Sequence, residues 1–243
     1  MKNLLTRFLK SSKLFELFMI FIGITFSMQF NNWNEERKLK QLELELISDL
    51  YVDVTEDYND IQKNIITTEK SFLRPLKYLD SCLTTIQPVN QSDLKDKLQI
   101  KMGRSSMSMN IGAYESFKHQ GIALMKNSRL KIKLFEYYES GLNQLNRQRE
   151  SQSEFGDNYI MPLSIKYCEN FFEMPYSNYL LLRNNPSDKR VINYWVRMYE
   201  FNQYINKKLI PLQEDLKLEK EKELIANGID PKLILQVAET SKS

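Results

Sequence analysis

The most regular stretch of the chain starts at Leu39. Leu39, Leu42, Leu46, Leu50, Val54, Tyr58, Ile61, Ile65, Thr68, Phe72, Leu76 and Leu79 recur at a mean spacing of 3.64 residues, the period of a helix rather than a strand. Glu43, Asp49, Asp53, Glu56, Asp60 and Lys63 fall between them, which places them on the other faces. From Leu39 to Arg74 such a helix extends on the order of 50 Å. Pro75 is expected to kink or end it, because proline removes an N–H and crowds the preceding turn.

Ahead of this helix lies a different pattern. Leu14 to Phe30, LFELFMIFIGITFSMQF, is seventeen residues with one ionisable side chain, Glu16. There is no polar face. As a helix it is roughly 26 Å long, at the short end of what spans a bilayer. Leu14, Phe18, Phe21, Ile24 and Phe30 would face lipid, and Trp33 would sit at the headgroup level. Lys10 and Lys13 can snorkel on the other side. A buried core helix and a cleaved signal peptide are the alternatives. The run ends MQFNNWNEERK, without the small-residue pair of a cleavage site, which favours a retained anchor. No Pro lies between Leu14 and Arg74, and no Gly after Gly23, so the anchor is expected to run straight into the long helix.

The remainder is punctuated rather than repetitive. Gln87 to Ser92 forms a loop, with Ser92 as N-cap of a short helix through Leu98. Gly103 to Asn110 is a connector, Asn110 caps a helix through Lys126, and Asn127 or Ser128 starts the next. That one carries Leu130, Leu134, Tyr138, Leu142 and Leu145 and is bent at Pro162. Ser187 and Asp188 open a helix bearing Val191, Trp195, Met198, Asn202, Ile205, Leu209, Leu212 and Leu216. Its end, EDLKLEKEKE, has the mixed charges of a solvated face, and Gly228 is a stop signal. No β-branched alternation suggests a strand. The pattern predicts an all-α chain: a transmembrane helix continuing into a long helix and an antiparallel bundle of four or five helices. Its parts are a basic cytoplasmic tail (1–13), the anchor (14–33), a bundle domain (34–226) and a short C-terminal tail (227–243).

Charge alters this picture at one end only. The net charge is +3, with 34 basic and 31 acidic residues over 243. Lys2, Arg7, Lys10 and Lys13 precede the apolar run; setting them and Glu16 aside leaves thirty of each sign. A body so balanced does not suit nucleic acid, whose phosphates call for clustered positive charge. Four basic residues precede the apolar run and three (Arg37, Lys38, Lys40) follow it closely. That margin puts the amino terminus in the cytoplasm and the body outside.

Some of these residues resemble a known family. Ile22-Gly23-Ile24, followed by the run Gln29 to Lys38 (QFNNWNEERK), is similar to the membrane-exit signature of the bacterial domain-of-unknown-function family numbered 6090. Tyr114-Glu115-Ser116-Phe117, Gly121-Ile122, Lys126-Asn127, Leu130 and Tyr137-Tyr138 resemble a second, looser pattern of that family, with His119-Gln120 departing from it. The resemblance implies a single-pass membrane protein with a helical outer part and carries over no catalytic residue.

Candidate chemistry is sparse. His119 is the one His in the chain, and with Glu115 at i,i+4 it lacks the partners of a bundle metal site. No nucleophile stands at a recognisable spacing from a base. Met102, Met107 and Met109 read as connector and packing residues, and no cofactor is implied. Cys82 and Cys168 would bridge only if the fold brought them together in an oxidising compartment, which spacing does not decide; two separate thiols are the expectation. Gly23 and Ser27 form a weak small-xxx-small signal for a homo-oligomer. Tyr194, Trp195, Tyr199, Phe201 and Tyr204 read as core and groove wall. The expectation is a non-enzymatic interaction or scaffold module with an unidentified protein partner. The alternative is an extracytoplasmic small-molecule sensor acting through a separate signalling partner.

Overall fold

The computed structural model describes every residue except 1, 88, 90, 92–99, 101–108, 171–172 and 241–243, with side chains described at Lys13 and from Phe15 onward. The expected N-cap at Ser92 and the methionines Met102 and Met107 lie outside the described residues. The chain is all-helical, and the described residues hold no strand, only an isolated bridge between Asn170 and Glu173.

Helix α1 (Lys2–Thr68) is one unbroken rod. Pro75 does not end it. A π turn at Glu69–Leu73 carries the chain into α2 (Arg74–Thr84), with the Arg74 N–H donating to the Glu69 carbonyl five residues back. The wider turn gives room where the proline ring would crowd an α-helical turn. Pro162 repeats the device. Helices α4 (Ser128–Phe135), α5 (Asn143–Phe155) and α6 (Met161–Tyr167) are joined by π turns at Glu136–Leu142 and Gly156–Ile160, the second just ahead of Pro162. They form a second continuous rod. The third is α8 (Pro186–Ala226), which runs on through Pro211. Three short helices complete the described set: α3 (Gly112–Ser116), α7 (Tyr176–Arg183) and α9 (Pro231–Thr240).

The rods are not antiparallel throughout. Rod α8 descends against α1 and α2, as Lys77–Glu200, Tyr58–Glu214 and Lys40–Glu223 show. The α4–α6 rod climbs beside α1, with Lys126 against Glu43 and Tyr137 against Asp57. Parallel neighbours need a long return, and the segment from Thr85 to Asn127 supplies it.

Two helix starts follow local chemistry. The Asn127 Oδ1 accepts the Leu130 N–H at 3.1 Å, and Asn185, ahead of the expected Ser187, accepts from Ser187 and Asp188 at 3.1 and 3.2 Å. The third is capped from elsewhere. Asn110 was expected to cap α3, but its own N–H donates to Asp57 Oδ1 at 2.9 Å, and Ala113 N–H to Asp53 Oδ2 at 3.3 Å. The carboxylates of α1 do the capping across the bundle. Gly228, at φ +79°, ends α8. What read as a short tail then folds as α9, with Ile234 and Leu235 against the core.

Two hydrophobic cores result. The first gathers Ile47, Leu50, Val54 and Ile61 of α1 with Leu130, Leu134, Leu142, Leu209 and Leu216. The second gathers Leu76, Leu79, Ile160, Tyr179, Ile192, Trp195 and Tyr199. Between them lies a polar layer. Asn202 donates to Gln152 at 2.7 Å, Asn206 to Asn202 at 3.2 Å and Gln203 to the Ile65 carbonyl at 3.0 Å.

Candidate functional site

Two regions of α1 depart from what a water-soluble bundle requires. The first is its apolar stretch. Phe15, Leu17, Phe18, Met19, Ile20, Phe21, Ile24, Phe26, Met28, Phe30 and Trp33 are each between 52% and 70% exposed. Residues this dense point in all directions, so no face of the rod is covered. Phe18, Phe21, Ile24, Phe30 and Trp33 thus share one bare rod, and the side chain of Leu14 lies outside the described ones. Among the described side chains the first buried residue of α1 is Glu43, and the core begins at Leu46. One polar group is satisfied locally: the Thr25 hydroxyl donates to the Phe21 carbonyl at 2.8 Å. Trp33 lies tilted against Phe30, ring centroids 5.8 Å apart, and carries the Arg37 guanidinium 5.9 Å from its ring. Gly23 faces open space. Among the described residues no helix is long and apolar enough to cross a membrane; the described part of the run, from Phe15 to Phe30, is sixteen residues.

The second region is a column of buried charge. Asp57 is fully buried, accepting the Asn110 N–H on one oxygen and the Tyr137 hydroxyl on the other, both at 2.9 Å. Gln213 donates to the Tyr137 oxygen at 2.9 Å. Burial pushes the Asp57 carboxyl up to about 6, against the pull of its two donors. Lys220 is also fully buried and donates to the Leu50 carbonyl at 2.5 Å. Burial lowers its ammonium well below the lysine range, with Asp53 and Asp57 opposing the shift. The same charge field acts on Tyr137 and Tyr138, whose hydroxyls are raised by burial and then by Asp57. These groups are buried, and their hydrogen bonds tie α1, the α4–α5 rod and α8 together.

This column contradicts one expectation. The EDLKLEKEKE end of α8 is solvated on one side only: Glu214, Asp215, Leu218 and Lys222 are exposed, but Leu216, Glu219 and Lys220 are buried. Gln213, Leu216, Lys220 and Leu224 continue the stripe begun at Leu209, at helical spacing. The stripe was the available signal; its polar members hid it. Glu43 was likewise placed on an outer face but is buried, accepting the Lys126 N–H at 3.1 Å and the Lys40 ammonium at 2.9 Å.

The remaining candidates separate. His119 is exposed, Glu115 beside it pairs with Lys118 at 3.4 Å, and no group of three metal-ligating side chains exists among the described residues. Met109 is half-buried against the first core. Cys82 and Cys168 both belong to the second core, yet both are free thiols, so the bridge is not made. Burial raises the Cys168 thiol. The aromatic row of α8 divides in two: Trp195 and Tyr199 are buried, while Tyr194, Phe201 and Tyr204 face solvent and wall no groove.

Comparison with known proteins gives no match: no family profile, no curated protein and no solved structure matches the chain.

Proposed function

We propose that this is a single-pass membrane-anchored protein whose helical body is a non-enzymatic interaction or scaffold module. The observation that carries this is the bare rod. A helix apolar on every side and touching no neighbour is out of place in water. Lipid suits it, because its backbone bonds are satisfied within the helix. With Leu14 the apolar run reaches seventeen residues, bracketed by Lys13 and Trp33, the residue types that anchor helix ends at an interface. The resemblance of the 29–38 run to family 6090 points the same way. A one-residue excess of Lys and Arg before the rod places the body outside the cytoplasm, at the inner membrane.

The non-enzymatic reading is supported by the burial of Asp57 and Lys220, two strongly perturbed groups of the body. A scaffold then works through its surface, on a protein partner or on a second copy through the Gly23 and Ser27 side of the anchor; no nucleic acid is expected. A reporter fused after Ser243 that functions only outside the cytoplasm should be active. Activity of a cytoplasm-only reporter at that site would overturn the orientation. Co-purification from native membranes should recover a partner in constant ratio.

A second reading, a sensor acting through a signalling partner, is favoured by one observation. The helix that bears the rod also bears Asp57, so an event in the body bears directly on the anchor helix. A stabilising metabolite in a thermal-shift screen is the result expected of a sensor, and none counts against it.

A further inference from the structure

At the end of the body nearest the rod, α1 and the loop before α4 enclose a recess of about 270 Å³, lined by Glu36, Leu39, Lys40, Glu43, Ala123, Leu124 and Lys126. Its walls are held in place. The carboxylate of Glu43, 4% exposed, fixes the loop through the Lys126 N–H and fixes the Lys40 ammonium at 2.9 Å, which also lies 3.6 Å from Glu223. Lys40 and Glu43 thus neutralise each other. Two charges of opposite sign are left, the Glu36 carboxylate and the Lys126 ammonium, neither of them in an ion pair among the described residues. Leu39, 47% exposed, and Leu124 supply the apolar wall.

We infer that this recess holds the headgroup of a zwitterionic phospholipid bearing a primary ammonium, its phosphate on Lys126 and its ammonium on Glu36. The inference rests on the anchor reading above, which sets the depth of the recess. A seventeen-residue rod of about 26 Å falls short of a hydrocarbon layer of about 30 Å, so the bilayer edge is drawn toward Trp33. Glu36 lies one helical turn further on, about 4.5 Å along the axis, within a headgroup layer of about 5–7 Å. Lys126, whose ammonium is not held by Glu43, reaches the same layer by the length of its side chain. The balanced lining disfavours a headgroup of net negative charge. A carboxylate on one wall selects a primary ammonium, which donates hydrogen bonds, over a quaternary one, which does not.

The test uses the full-length chain in nanodiscs of phosphatidylethanolamine, phosphatidylcholine and phosphatidylglycerol in equal amounts, with retained lipid read by native mass spectrometry. Wild type should keep phosphatidylethanolamine at least threefold over either of the others. Glu36→Gln should abolish that preference, Lys126→Gln should lower total retention, and Glu36→Lys should turn the preference to phosphatidylglycerol. Both positions are exposed, so helix content by circular dichroism should stay constant. Equal retention of the three lipids, or a preference that survives Glu36→Gln and Lys126→Gln, overturns the recess assignment while leaving the anchor intact. A chain that enters no nanodisc overturns both.

Discussion

Along a single helix the protein reverses the ordinary distribution of side chains twice. Between Phe15 and Phe30 it leaves large apolar groups bare, and at Asp57, some forty residues along, it seals a carboxylate inside. The two reversals have different causes. Buried charge is tolerated because every oxygen of Asp57 is met by a donor and a lysine lies in the same column. Exposed apolar surface has no such compensation among the described residues. One region is solved by internal partners, and the other, on the function proposed above, by lipid.

That contrast can be broken at either end. The largest effect is expected from replacing Phe18, Phe21 and Ile24 together with Lys. Each lysine near the centre of a membrane helix costs about 2.5–3.5 kcal/mol relative to water, so the triple variant should move from the membrane pellet to the supernatant. The body should keep its helix content. Next is Asp57→Ala, which strips the Tyr137 hydroxyl and the Asn110 N–H of their acceptor and leaves Lys220 with less opposing charge. A loss of about 3–5 kcal/mol in denaturant unfolding is expected.

Acid sharpens the comparison further. The Asp57 carboxyl is raised in the folded state, from 3.8 to about 6, so the folded chain binds a proton before the unfolded one does. Its burial penalty is present above pH 6 and is relieved as the pH falls toward 4. Relative to Asp57→Asn, wild type should gain up to about 3 kcal/mol between pH 7 and pH 4. A difference independent of pH over that range would mean that the carboxyl titrates normally. The smallest effect is at the start of α8, where Asn185→Ala removes the acceptor for Ser187 and Asp188; about 1 kcal/mol should be lost, with no change at the membrane.

Much of the fold is legible in the residue pattern, and the exceptions share a cause. The helical period from Leu39 to Leu79 and the cap at Asn127 are local signals, and the structure follows them. Pro75 and Pro162 are local signals too, but the π turns ahead of them are not. Such a turn depends on what packs against it: a Cβ on Gly141 would come within 2.6 Å of Leu209, and one on Gly156 within 3.3 Å of Trp195. The rod at Phe15–Phe30 announces itself by composition alone. Lys220 does the opposite, since a charged residue among charged residues reads as solvated until the neighbouring rods are placed around it. The capping of α3 by Asp53 and Asp57 is invisible for the same reason, being made between residues more than fifty apart.

The most direct test of a lipid-embedded rod is sedimentation of the full-length chain from cells lysed without detergent, followed by an alkaline wash of the membranes. The protein should remain in the washed pellet and enter solution only with detergent. Recovery in the first supernatant, as a folded and monodisperse species, would contradict the account.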